Sequence, residues 1–494
     1  MARILVLADL GQTSYHVGSQ AIGIAAAQEL SARGHQVVLA TRSASQDQAL
    51  ISPDYDYLTS LPFPSQPAER EILLDNLHKY LKGQPGDPQL AEFVQTVADL
   101  DGILIAGSGS MNSLSGDLLY EKAAYALIAH YYKIPLVISG QTVGPVLTEA
   151  DSHTLIRILQ DARLVGMRET SSLEWSQSQG LEAYQVLDDS SFYQPLNRTL
   201  PGRPTVELPD KYICATFSGL SDSQARTVAH LLDDLDRLYG IKTVFLPHLG
   251  TPLAEDGDYA CHALIASHMF SGPLLLPIVH ADDAIRVHQG AFLNFSTRYH
   301  PGVFSLAGGI PFLALLPDPQ TDTKVRGLMA QYGAENYAIP LALLNSEAPA
   351  QALQEIVLLR EELSRVLTLR AQELKGYYQN WWDTAAHMLL PQNEQAPVPL
   401  PAQISPTPTI FTGDWNLTNL LVRDDIAQIS LAAAQSQAES DRAISWDYQR
   451  LLQRDQAQAR AEELERQNAA LLYSLQEAEE NATLRGWVRR VMGG

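Results

Sequence analysis

The sequence predicts an α/β protein of two doubly wound, Rossmann-like domains facing a cleft, followed by a helical C-terminal tail. Three observations predict it. Short apolar runs alternate with helical segments from Arg3 to Leu187, a polar proline-rich break interrupts them and the alternation then restarts, and the composition changes abruptly after Leu390. Strands alternating with helices imply a parallel sheet covered on both faces. A chain of 494 residues also exceeds what one core holds.

In the first domain (1–198) the strands read "RILVLAD", "QVVLAT", "GILIAG", "PLVISG", "LVGM" and "YQVL". The helices between them begin at "AIGIAAAQELSARG" and end at "SSLEWSQSQG". After "NRTLPGRPTVELPDK", the second domain (199–390) has strands "YICATF", "TVFLPH", "LLLPIV", "AFLNF" and "PFLALL". A helical run from Ala348 to Leu390, aromatic at its end, is suited to pack back across both domains. Residues 391–424 read as a proline-rich linker. Residues 425–494 read as a helical tail in which Ala457, Ala461, Leu464, Asn468, Leu471, Leu475, Ala478 and Ala482 keep a 4,3 spacing. That spacing fits a weak coiled-coil seam, and hence a homo-oligomer, or equally a solvated single helix.

A net charge of -22 argues against general affinity for nucleic acid, so an anionic substrate needs a local cationic pocket. Two cysteines, Cys214 and Cys261, exclude a disulfide framework and point to a reducing compartment. The first residues read as a strand rather than a signal peptide, and a cytoplasmic protein is expected. The basic, aromatic end "LRGWVRRVMGG" offers peripheral contact with the inner face of a membrane.

Ligands of doubly wound sheets sit beyond the carboxyl ends of strands. Four such ends carry chemistry. "LGQTSYHVGSQ" brings His16, Gly18 and Ser19 to a helix entry, and "AGSGSMNS" is a loop of Gly107, Ser108, Gly109 and Ser110 whose glycines let backbone approach a ligand. Arg168 ends a strand with a fixed-charge fork. In "NFSTRYHPGVFSLAGGIP", Arg298 and His300 precede a helix expected from Pro301 to Ala307, whose free amides outline an anion site. His248 in "FLPHLG" adds a second strand-end histidine. No carboxylate pair at metal-ligand spacing, HExxH, DxD-type cluster, dinucleotide fingerprint or nucleophile elbow occurs, so no metal is expected.

"GSGSMNSLSG", "PLVISGQTVGP", "GMRETSS", "QVLDDSSF" and "STRYHPGVFSLAGGIP" resemble, in this order, five motifs of the polysaccharide pyruvyltransferase family. The likeness covers about residues 1–390. It implies a fold similar to the two-domain GT-B glycosyltransferases and a transfer of pyruvate from phosphoenolpyruvate, as co-substrate and with no cofactor, onto two hydroxyls of a sugar as a cyclic ketal. Catalytic roles then fall on His300, Arg298 and Arg168. Donor contacts fall on Arg298, Arg168, His248 and Gly302, and acceptor contacts on His16, Gly18, Ser19, Gly107 to Ser110 and Gln141. The family's first loop usually carries Gly-Asp where this chain has Gly18-Ser19. A nucleotide-sugar glycosyltransferase and a non-catalytic scaffold of polysaccharide assembly are the alternatives.

Overall fold

A computed structural model of the chain describes residues 2–52, 54–196, 207–251, 254–391, 400–410 and 415–492. The strands of the first half are β1 (Arg3–Leu10), β2 (Tyr15–His16), β3 (Gln36–Thr41), β4 (Asp56–Thr59), β5 (Gly102–Ile105), β6 (Ser108–Met111), β7 (Leu136–Val143), β8 (Leu164–Met167) and β9 (Tyr184–Gln185). They form a parallel sheet in the order β4-β3-β1-β5-β7-β8-β9, with β6 also paired to β7 and β2 standing apart. The central strands are buried on both faces, which is why they read as continuous apolar runs.

The second half contains β10 (Tyr212–Thr216), β11 (Lys242–Phe245), β12 (Leu249–Gly250), β13 (Leu274–Leu275), β14 (Leu293–Ser296), β15 (Phe312–Leu316) and β16 (Ala338–Pro340). Its sheet is also parallel and runs β13-β11-β10-β14-β15-β16. The two-residue strands β2 and β12 pair antiparallel with each other, Leu249 opposite His16, so the halves share a piece of backbone ladder. The Val17 amide extends it by donating to the His248 carbonyl (3.0 Å).

Helix Val17–Ala32 is buried on nearly every side, because one face lies on the first sheet and another meets helix Ala281–Gly290 of the second half. Its run of alanines permits that double packing and explains its lack of a polar face. Helix Arg360–Met388 ties the halves from behind. Trp381 Nε1 donates to Ser139 Oγ (2.8 Å) and the Tyr378 hydroxyl to the Asp189 carbonyl (2.8 Å).

Four details differ from the sequence reading. The short strands β4 and β16 add edges where the sequence showed too few consecutive apolar residues to mark them. The helix expected from Pro301 starts earlier, at Tyr299, with Arg298 at its N-cap. Segment 400–410, expected as solvated linker, is packed: Ile404 is buried, the Ser405 carbonyl accepts from Arg370 Nη2 (2.7 Å), and the Ile410 amide donates to Gly333 O (2.8 Å). The tail helix begins at Trp415 rather than at 425 and runs to Met492. The side chains of its seam at Ala461 and from Asn468 onward lie outside the described residues.

Candidate active site

The carboxyl ends of both sheets open into a cavity of about 620 Å³ between the halves. From the second half, the end of β14 turns into helix Tyr299–Ala307 and carries Arg298, Tyr299 and His300 to its wall. Arg298 is 26% exposed and binds the buried Asp258 through Nη2 (2.5 Å) and Nε (3.2 Å). Asp258 in turn accepts from the amides of His248 and Leu249 (both 3.0 Å), so the loop after β11 fixes the height of the Arg298 fork.

His300 is buried, and its Nε2 has no hydrogen-bond partner among the described residues. Burial, with Arg168 and Lys324 adding repulsion, pushes the imidazole down to about 4, while Asp188 pulls the other way. His16 caps helix Val17–Ala32, its Nδ1 accepting from the Ser19 amide (3.0 Å), and its ring stands edge-on to His300 at 5.7 Å. Gly18 lies directly under the His300 ring, where a Cβ would overlap Nδ1. Glycine is required there by close approach.

His248 belongs to a relay. Its Nε2 is 2.8 Å from His288 Nε2, and His288 Nδ1 is 2.8 Å from Asn294 Oδ1. The amide of Asn294 donates through Nδ2 to the His288 carbonyl, so Oδ1 must accept. His288 therefore carries its proton on Nδ1, His248 donates from Nε2, and His248 Nδ1 is left as a buried lone pair without a protein partner among the described residues. Burial and the neighbouring His288 and His300 hold His248 well below the usual histidine range.

Arg168 departs most from its expected role. Its guanidinium is spent on Asp188 (2.5 Å), Glu169 (3.0 Å) and Thr142 Oγ1 (2.7 and 2.9 Å), and it lies 4.3 Å from the centre of the Tyr299 ring. It lines the cavity as a committed cation that orients Tyr299. Gln141 and Gly302 do not line the cavity. Gln141 is buried beneath the glycine loop, accepting from Ser108 Oγ (2.8 Å) and donating to the Ala106 carbonyl. Gly302 gives way to the Phe312 ring, which a Cβ would meet at 2.6 Å.

The first half contributes Ser19, His16 and the loop Gly107–Ser110. The loop is held from below by Asp189, which accepts from the Gly107 amide (2.7 Å). It is held from across the cleft by Gln320 Nε2, which donates to Gly109 O (2.6 Å). Ser110 Oγ donates to Asp9 Oδ2 (2.8 Å), and Asp9 Oδ1 is paired with the buried Lys122 (2.5 Å). Asp9 has φ +53, a left-handed backbone that turns its carboxylate out of the end of β1 into the cavity wall.

Sequence reasoning missed Asp9 and, more consequentially, Lys324. It projects from helix Pro319–Gln331 over Gly109, where a Cβ would meet its Cδ at 2.8 Å, and makes no hydrogen bond or ion pair with any described residue. Burial, reinforced by Arg168, draws its ammonium down to about 8, although Asp318 and Glu169 oppose this. It is an uncommitted cation beside His300. Its signal was available: a lysine in the second turn of the helix that follows the recognised strand "PFLALL".

The sequence model of polysaccharide pyruvyl transferases matches residues 16–319, more than half of the chain. The chain belongs to the polysaccharide pyruvyl transferase family. As a family member it is a transferase, and the match takes in every motif on which the resemblance rested while stopping five residues short of Lys324. No curated protein sequence matches it significantly. Among solved structures, it is similar to sucrose-phosphate synthase from Thermosynechococcus elongatus (15% identity, 78% of this chain and 96% of that chain, TM-score 0.50). It is also similar to UDP-GlcNAc 2-epimerase from Neisseria meningitidis bound to UDP-GlcNAc (16% identity, 75% and 94%, TM-score 0.47). At 15% identity the likeness to sucrose-phosphate synthase concerns the fold alone. No described helix is long and apolar enough to cross a membrane.

Proposed function

We propose that this family member transfers pyruvate from phosphoenolpyruvate to a sugar diol as a cyclic ketal, with the donor seated between Arg298, Lys324 and the N-terminus of helix Tyr299–Ala307. The observation that carries this reading is the meeting of an unpartnered buried imidazole nitrogen, His300 Nε2, with the uncommitted cation Lys324 in one cavity. Phosphoenolpyruvate needs both elements, a cationic wall for its carboxylate and phosphate and an acid for its methylene carbon.

In the free protein His300 is neutral near pH 7. An anion placed against Lys324 offsets the repulsion that adds to burial in depressing it and favours the imidazolium. Proton uptake then accompanies donor binding. The imidazolium gives its proton to the methylene carbon, which becomes a methyl group, and the neighbouring carbon takes an oxocarbenium character. A sugar hydroxyl attacks that carbon and passes its proton to the now neutral His300. Phosphate leaves with the C–O bonding pair, and the second hydroxyl closes the ring, its proton completing hydrogen phosphate. Asp9 and Ser110 lie on the acceptor side to receive hydroxyl groups, and the lone pair of His248 Nδ1 is a proton acceptor in the same wall.

The test is acceptor-dependent release of phosphate from phosphoenolpyruvate, with the ketal identified by mass spectrometry. His300→Ala should lower turnover by ~10² to 10⁴ with a smaller effect on donor affinity. A variant that keeps full turnover would remove His300 from the chemistry. Nucleotide release from a sugar nucleotide, with phosphoenolpyruvate inert, would replace the donor.

A further inference from the structure

The tail helix builds a second site. Near its middle it is docked on helix Pro67–Leu81: Arg442 Nε and Nη2 meet the two carboxylate oxygens of Glu71 (2.9 and 3.2 Å), and Trp446 Nε1 donates to the same group (3.0 Å). The buried Ser445 accepts from the Ala68 amide (3.1 Å), and Gln435 bonds both the amide and the carbonyl of Leu147 (2.9 and 2.5 Å). This contact leaves a groove of about 860 Å³ between the tail and the segments 65–70 and 113–117. Asp117 lines both the groove and the catalytic cavity, so the two lie side by side.

The floor of the groove is formed by Arg70, which is buried and threads past Gly116, where a Cβ would occupy the place of its guanidinium. Its Nε has no hydrogen-bond partner among the described residues. The walls are mixed in character. Tyr448 (59% exposed), Ile444 and Leu114 present ring and aliphatic surface, Gln437 and Asp441 lie beside them one to two turns earlier on the tail, and Gln449 follows Tyr448. An apolar patch beside amide and carboxylate groups suits the two kinds of surface on a pyranose, its C–H face and its hydroxyl edge. The acidic groups and a net charge of -22 disfavour an anionic chain, and the polar walls disfavour a lipid tail.

We propose that this groove holds the second and following residues of a neutral oligosaccharide whose terminal sugar lies in the cleft. The proposal rests on the reading of that cleft as the ketal-forming site, and makes the tail part of acceptor recognition. The test is retention of the full-length protein, without donor, on immobilised neutral hexose and N-acetylhexosamine glycans from single residues to hexasaccharides. Affinity for the retained series should rise roughly tenfold or more from one residue to three. Tyr448→Ala and Gln437→Ala should abolish that rise while leaving the thermal shift caused by phosphoenolpyruvate unchanged. Affinity independent of length, length dependence that survives in both variants, or retention of no glycan at all would overturn the groove. Length-dependent retention with no thermal shift from phosphoenolpyruvate would instead sink the donor assignment and leave the groove standing.

Discussion

Burial draws the Lys324 ammonium down to about 8, below the ordinary lysine value of 10.5. Between those two values the unfolded chain holds a proton that the folded chain has released, so stability rises with pH across that window and the full penalty is present below about pH 8. Lys324→Met should therefore raise Tm at pH 7 while weakening phosphoenolpyruvate binding by roughly 10- to 100-fold, the worth of a charge-assisted contact. For the unmodified protein, donor affinity should fall as pH climbs through about 8. Calorimetric titration across that range checks both, and an affinity indifferent to pH and to the substitution would move the phosphate elsewhere. Residues of this kind separate what the sequence discloses from what it hides. Arg298 and His300 were legible because a charged residue and a histidine between two buried strands have few bland explanations. Lys324 was hidden because a lysine inside a polar helix has an ordinary one, solvent. Gln141 and Gly302 misled for the opposite reason: each stands at a strand end or helix start, yet its side-chain position is occupied with holding the loop or admitting Phe312.

Helix Val17–Ala32 brings its first turn against the His300 ring, and this element can be tested at Gly18. Alanine ordinarily stabilises a helix over glycine by about 1 kcal/mol. Here the added methyl would occupy the space of the imidazole, so Gly18→Ala should displace His300 and lower turnover by roughly 10²-fold, the cost of about 1 Å of misplacement. Circular dichroism should stay unchanged, and undiminished turnover would show that the ring has room to move. Elements long enough to be buried on both faces were plain in the sequence. Strand β4, with half-buried Tyr57 and buried Leu58 between exposed Asp56 and Thr59, was not, because two such residues are too short an apolar run to mark a strand. Nor was the packing of segment 400–410, since prolines that look like a linker can equally lie along a groove once Ile404 finds a pocket.

At the scale of the whole molecule, the tail bridges the two halves, with Asp424 paired to Arg326 (2.9 Å) in the second and Arg442 to Glu71 in the first. Truncation after residue 410 should lower Tm and expose helix Pro67–Leu81 to proteases, whereas truncation after 455 should leave both unchanged. Scanning calorimetry with limited digestion decides this, and equal stability of the two shortened chains would make the docking incidental. The ribbon formed by β2 and β12 bears on how such a two-part molecule works. Each of its strands carries or adjoins a histidine of the cavity, His16 on one side and His248 on the other. It therefore acts as a latch whose two jaws are the working parts themselves. Parting the halves at this seam would also pull the two histidines apart, so on the proposed mechanism a molecule opened there would be idle. On the proposed mechanism, water admitted by such a parting would meet a disassembled acid, and an enol phosphate would be shielded from hydrolysis until the latch had shut.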